Sequence, residues 1–144
     1  MAAWEEEFFE FVRYMRGLRN NNPGNIRQSG VKYDGEVRPS KDKSFKQFES
    51  MAHGYRAMFV LLDAYSRKGF VTLRQMINRY APPVENQTDK YLHFVAELAG
   101  VAPDDVVDTK DHDTMVKIVS AMSRMENGVV AVPAEVEAGW QLYM

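Results

Sequence analysis

The chain contains no cysteine in 144 residues. That excludes disulfides, zinc–thiolate sites and a thiol nucleophile, and it ties the fold to no redox compartment. Histidine is scarce too: His53, His93 and His112 stand too far apart for a His-x-x-x-His or similar ligand pair, so no metal is expected. No apolar run approaches the roughly 18 residues that a membrane span needs. Gly-x-Gly-x-x-Gly and Walker loops are missing, as is a Gly-x-Ser-x-Gly elbow, so nucleotide-phosphate and serine-hydrolase chemistry have no support. A net charge of −2 lacks the basic excess of a nucleic-acid binder. The expectation is no nucleic acid partner and no membrane insertion. The opening Met1-Ala2-Ala3-Trp4-Glu5-Glu6-Glu7 is acidic where a Sec signal peptide is basic and then apolar, so no such signal is expected.

What is present is ordinary for a soluble globular protein, with 45% hydrophobic and 26% charged residues. The length suits a single domain over residues 1–144 with a real core. Trp4, Phe8, Phe11 and Met15 recur at helical spacing and predict an amphipathic helix over about 3–16, stopped by Gly17. Residues 31–48 change character. Asp34-Gly35 is a hairpin signal, Lys41-Asp42-Lys43 reads as an exposed tip, and a small two- or three-stranded antiparallel unit is predicted. Ser50 caps a predicted helix to about Lys68, and Thr72 opens another that ends at Ala81-Pro82-Pro83. Asn86 caps a third, with Tyr91, Phe94, Val95 and Leu98 facing inward up to Gly100. Pro103-Asp104-Asp105 reads as a short helical turn. A longer helix runs from about Asp111 to Met125 with Met115, Ile118, Val119, Met122 and Met125 on its stripe, and a last one from Pro133 towards Tyr143. The fold class is therefore α+β, mainly α.

Four stretches carry chemistry. Arg19-Asn20-Asn21-Asn22-Pro23-Gly24-Asn25-Ile26-Arg27 cannot continue a helix, since proline lacks the donor and Asn and Gly tolerate positive φ. It is either a turn or a binding loop whose amides and guanidinium groups suit an N-acetylated sugar. Glu126 falls on the apolar stripe of its helix, at the end that precedes Asn127-Gly128. The negative helix pole and partial burial both disfavour its ionised form, as a glycosidic general acid requires. The plainer alternatives are a frayed turn with Glu126 in water, or an ion pair with Arg124 or Arg27. Glu85 is a second candidate acid; it suits a helix start on its own, yet Tyr80, Asn86, Thr88 and Tyr91 surround it in sequence with groups that stack on sugars and bond to them. Glu49, between the β unit and Ser50, is a third candidate or simply surface.

Several stretches together resemble a family of small phage and prophage proteins, associated with the virion or with lysis and described as lysozyme-like or structural. They are Arg16-Gly-Leu-Arg-Asn-Asn-Asn-Pro-Gly-Asn-Ile-Arg27, Phe45-x-x-Phe48 followed by Gly54-x-Arg56-Ala57, Tyr80-Ala-Pro-x-x-Glu85-Asn86-x-Thr88 with Tyr91 three residues on, and Glu126-Asn127-Gly128. The chain departs from the family in its extra residues before position 16, in Tyr80 where Trp is common, and in Met125 where His often stands. A weaker similarity extends to lytic transglycosylases, where the catalytic Glu ends a helix before an Asn-Pro turn and a Glu-Thr-x-x-Tyr helix start closes the cleft. Here residues 19 and 20 are Arg and Asn, so no Glu precedes Asn22-Pro23 at that spacing.

The resemblance implies a lysozyme-like helical domain that cleaves the β-1,4 glycan of peptidoglycan, as a lysozyme, endolysin or lytic transglycosylase. Glu126 would supply the acid from the far end of the chain, as in a circular permutation of the lysozyme plan. Its carboxylate should then share a groove with Asn22, Asn25 and Tyr91. Sugar contacts would come from Asn20, Asn22, Asn25, Arg27, Tyr80, Asn86, Thr88 and Tyr91. No metal or organic cofactor is implied. The protein would reside in the virion or the host cytoplasm and reach the periplasm and cell wall by lysis, a holin or particle delivery. A different class of reading is a non-catalytic virion or tail component, with Trp4 and Phe9 available to neighbouring proteins.

Overall fold

A computed structural model describes residues 15–81 and 85–144. The helix expected over 3–16, including Trp4 and Phe9, lies outside the described residues apart from its last positions. Among the described residues the fold is α+β, mainly α. A short helical turn α1 (Arg16–Arg19) precedes a two-stranded sheet, β1 (Glu36–Val37) and β2 (Gln47–Phe48). Five helices follow: α2 (Met51–Arg67), α3 (Leu73–Tyr80), α4 (Glu85–Ala99), α5 (His112–Asn127) and α6 (Pro133–Tyr143).

The caps explain the boundaries. Ser50 accepts the His53 N–H at the start of α2, and Thr72 with Gln75 forms a reciprocal capping box on α3. Asp111 caps α5 through Thr114, and Gly128 ends that helix in the left-handed region, at φ 72°. Pro133 opens α6, where its missing donor costs nothing. Helix α4 starts at Glu85, so Asn86 lies within its first turn rather than capping it.

The core forms where α2 packs along α6 and α5 packs along α4. Tyr55, Met58, Phe59 and Leu62 of α2 are fully enclosed with Met115, Ile118, Val119 and Met122 of α5. Trp140 of α6 sets its ring edge-on to Phe59 at 5.2 Å, and Tyr143 stacks on Phe59 at 5.7 Å. Two inward-facing assignments fail: Leu98 is 46% exposed and Met125 37% exposed, while Leu92 and Ala99 fill the α4 face instead.

The β unit differs from expectation in its turn. β1 and β2 pair antiparallel, Glu36 opposite Phe48 and Val37 opposite Gln47, so residues 38–46 form the connection and Asp34-Gly35 lies before the hairpin. Gly35 is pressed against the His53 ring, where a side chain would collide. Asp42 is no exposed tip residue. Its side chain is 8% exposed and binds Arg16, Asn20 and the Ser44 and Phe45 amides, which holds its carboxyl well below the usual carboxylate range. Lys46 is fully buried, reaching Glu36 at 3.1 Å and the Val31 carbonyl at 2.8 Å. The Pro103-Asp104-Asp105 segment is a turn, tied to α3 by the Arg74–Asp104 ion pair at 2.8 Å. Gly17 does not stop a helix; it lies inside α1.

Candidate functional site

The asparagine-rich loop leaves α1 at Asn20 and turns through positive φ at Asn21 (50°) and Asn25 (49°). Asparagine tolerates this region better than most residues, which explains its use here. Most of the loop's amides hold the loop itself together. Asn22 is completely buried; its Nδ2 donates to the Ile26 and Lys46 carbonyls, and its Oδ1 accepts the Ile26 N–H, each at 2.9 Å. Asn20 is 3% exposed and donates to Asp42 at 3.1 Å, while Asn21 donates to the Phe48 carbonyl at 3.1 Å. Asn20 and Asn22, both expected to contact sugar, are thus engaged within the fold.

Asn25 is turned the other way. Its Nδ2 donates to Glu126 Oε1 at 3.0 Å, joining the loop to the last turn of α5. Its Oδ1 is buried without a hydrogen-bond partner. The next residue on α5 repeats the link, since Asn127 Nδ2 donates to the Pro23 carbonyl at 2.7 Å and to the Ser123 carbonyl at 2.8 Å. Ser123 is itself fixed by the Tyr55 hydroxyl at 3.0 Å. From α3, the Tyr80 hydroxyl donates to the Gly24 carbonyl and closes the loop from a third side.

Glu126 is half-buried in this enclosure. Burial pushes its carboxyl above the usual glutamate range, against the Asn25 amide, the Tyr91 phenol and the Arg27 charge, which all favour the ionised form. Tyr91 of α4 is 4% exposed, and its hydroxyl has no hydrogen bond of regular geometry. Burial and the adjacent Glu126 hold the Tyr91 and Tyr80 phenols neutral far above neutral pH. Arg27 is exposed at the rim, with its guanidinium over the Phe45 ring at 5.0 Å. The arrangement is a weak acid partly withdrawn from water, with donors and a cation ready to stabilise its negative charge. Such a group can deliver a proton.

The structure therefore brings Glu126, Asn25, Arg27, Tyr80 and Tyr91 together. Glu49 belongs elsewhere; it is exposed and pairs with His53 at 3.5 Å on the first turn of α2. Thr88 is half-buried on α4. The side chains of Glu85 and Asn86 lie outside the described atoms. No cluster of metal-ligating side chains occurs among the described residues. A groove of about 300 Å³ between α4, α5 and the turn before α6, lined by Leu98, Lys117, Arg124 and Val130, contains none of the expected site residues.

Sequence reasoning gave Ser123 no role, Gly17 only that of a helix stop, and Asn127 only a place in the Glu126-Asn127-Gly128 stretch. Asn127 was visible as the residue after Glu126, and its own bond to Pro23 was not. No family model matches the chain. Protein P5 of Pseudoalteromonas phage PM2 is 38% identical to it over 117 residues, which covers 78% of this chain and 71% of that protein.

Proposed function

This chain belongs to the same family as Protein P5 of Pseudoalteromonas phage PM2, and from that premise we propose that it is a phage peptidoglycan glycosidase with Glu126 as general acid. The observation that carries the reading is the half-buried Glu126 carboxyl, raised by burial and held by the Asn25 amide at 3.0 Å.

The chemistry follows from that balance. Cleaving a β-1,4 glycan bond requires a proton on the leaving oxygen as positive charge builds at the anomeric carbon. Burial keeps the Glu126 proton in place before the reaction. Once the proton leaves, the carboxylate gains the Asn25 hydrogen bond in full, together with the Arg27 charge and the Tyr91 dipole. These interactions are stronger after transfer than before it, which is the condition for catalysis rather than mere binding. Arg27, at the exposed rim, and the half-buried Tyr80 ring position the N-acetylated sugars, while the buried Tyr91 acts on Glu126 alone. Among the described residues no second carboxylate is tied to Glu126, which favours attack by the sugar's own 6-hydroxyl, whose proton passes to the Glu126 carboxylate left by the first transfer, as in a lytic transglycosylase, over a base-activated water. Access to the wall comes by lysis, a holin or particle delivery.

Zymography on purified cell walls tests the reading. Wild type clears, Glu126→Gln does not, and Glu49→Gln and Glu85→Gln clear as wild type does. A wild type that clears nothing favours a non-catalytic phage component, and clearing by Glu126→Gln removes Glu126 from the mechanism.

A further inference from the structure

Two adjacent residues at the end of α5 bind the same loop with opposite logic. Glu126 accepts from it, through Asn25, and Asn127 donates to it, through the Pro23 carbonyl. Asn127 is tied at two points. The same Nδ2 also bonds the Ser123 carbonyl one turn back on α5, so one amide spans helix and loop. Its Oδ1 is buried without a partner, which removes any reason for the side chain to sit there except the donor bonds.

The seam behind this contact is tight. A Cβ on Gly17 would lie 2.6 Å from the Asn22 carbonyl oxygen, 2.7 Å from Asn25 Oδ1 and 2.8 Å from Asn127 Oδ1. Only a residue without a side chain lets α1, the loop and the end of α5 meet at one point. The groups facing Glu126 come from separate elements: Asn25 and Arg27 from the loop, Tyr91 from α4, and Tyr80 from α3 through its charge interaction. Of these, the loop residues are fastened to the end of α5 by the Asn127–Pro23 bond beside the Asn25–Glu126 bond.

We propose that Asn127 is a latch: its amide fastens the asparagine-rich loop across the end of α5, with Gly17 giving the room to close, and the closed loop is what encloses the Glu126 carboxyl. Asn127 is then a positioning residue that acts on Glu126 through the loop. The proposal goes beyond the glycosidase reading and does not require it.

The two links to the loop move Glu126 in opposite directions, which makes the test decisive. Removing the latch opens the loop and admits water, so the carboxyl falls towards the ordinary glutamate value of about 4.3. Removing only the Asn25 donor leaves the loop fastened and takes away a bond to the ionised form, so the carboxyl rises further. The measurement is an NMR titration of the full chain carrying carboxyl-labelled glutamate, with the Glu126 resonance identified by its loss in Glu126→Gln. Asn127→Ala and Gly17→Ala are expected to shift that titration to lower pH, and Asn25→Gly, which keeps the positive φ, to higher pH. Asn127→Leu, of similar bulk and without donors, takes the place of Asn127→Ala if the truncated chain does not fold. A folded latch variant whose Glu126 titrates at the wild-type position, or moves upward, overturns the proposal. Because no glycan is present, a wild type inactive on cell walls would end the enzymatic reading and leave this result standing.

Discussion

Asn25 and Glu126 are joined by a hydrogen bond of 3.0 Å across 101 positions of sequence. The bond ties the front loop of the chain to the last turn of α5. It also sets a conflict within a single carboxyl. Burial opposes ionisation while Asn25, Tyr91 and Arg27 favour it, and burial prevails.

That conflict predicts a pH-dependent gain in stability for Glu126→Gln. The folded carboxyl has a raised pKa, so its contribution to stability is fully present below the ordinary glutamate range and is lost as pH rises through the folded value. Glutamine keeps the shape and the acceptor for Asn25 and carries no charge. Thermal melts should show the variant gaining on wild type as pH rises through that window. A difference independent of pH would mean that the carboxyl is solvated.

Gly54→Ala tests how the loop is seated. A Cβ there would lie 2.1 Å from the Asn21 carbonyl oxygen and 2.6 Å from Pro23 Cδ. Both are parts of a rigid turn, so the first turn of α2 and the loop must separate. Denaturant unfolding should report a loss of about 1–3 kcal/mol, the usual range for overpacking.

Lys46→Met tests the buried ion pair beneath the β unit. Burial pushes the Glu36 carboxyl up, yet its bonds to Arg38, the Tyr33 N–H and Lys46 hold it below the usual range. Lys46 also binds the Val31 carbonyl. The variant leaves Glu36 with fewer partners in a closed site, and chemical denaturation should show a loss of about 3 kcal/mol, the lower end for breaking such a pair.

His112→Gln addresses the far end of the core. His112 Nε2 meets Glu137 at 2.6 Å and Nδ1 meets Asp113 at 2.8 Å; these bonds raise the imidazole above its ordinary value. The stabilisation is fully present below the unfolded histidine value near about 6.5 and is lost as pH rises through the folded one. Wild-type Tm should therefore fall towards that of His112→Gln between mildly acidic and mildly alkaline pH.

The helices were legible because local signals decide them. Ser50, Thr72, Asp111 and Gly128 act within one turn of chain. The faces of α4 and α5 were less legible. Leu98 and Met125 fit a helical stripe, but neighbouring helices cover only part of it, and a repeat in sequence does not carry the width of the partner. Asp34-Gly35 has the composition of a hairpin turn and serves instead as a close approach to His53. The candidate site was half legible. Glu126 could be found as an acid on an apolar stripe, whereas the division of labour among the asparagines depends on which carbonyls lie nearby. Asn22 satisfies the loop's own backbone, and Asn25 alone among them reaches the acid.

The most direct measurement of the central claim is mass spectrometry of the fragments released from purified peptidoglycan by wild type and by Glu126→Gln. Wild type is expected to release disaccharide-peptides, with 1,6-anhydro ends if the sugar's own hydroxyl attacks, and the variant to release less by a factor of about 10² or more. The same fragments released at the same rate by Glu126→Gln would contradict the account.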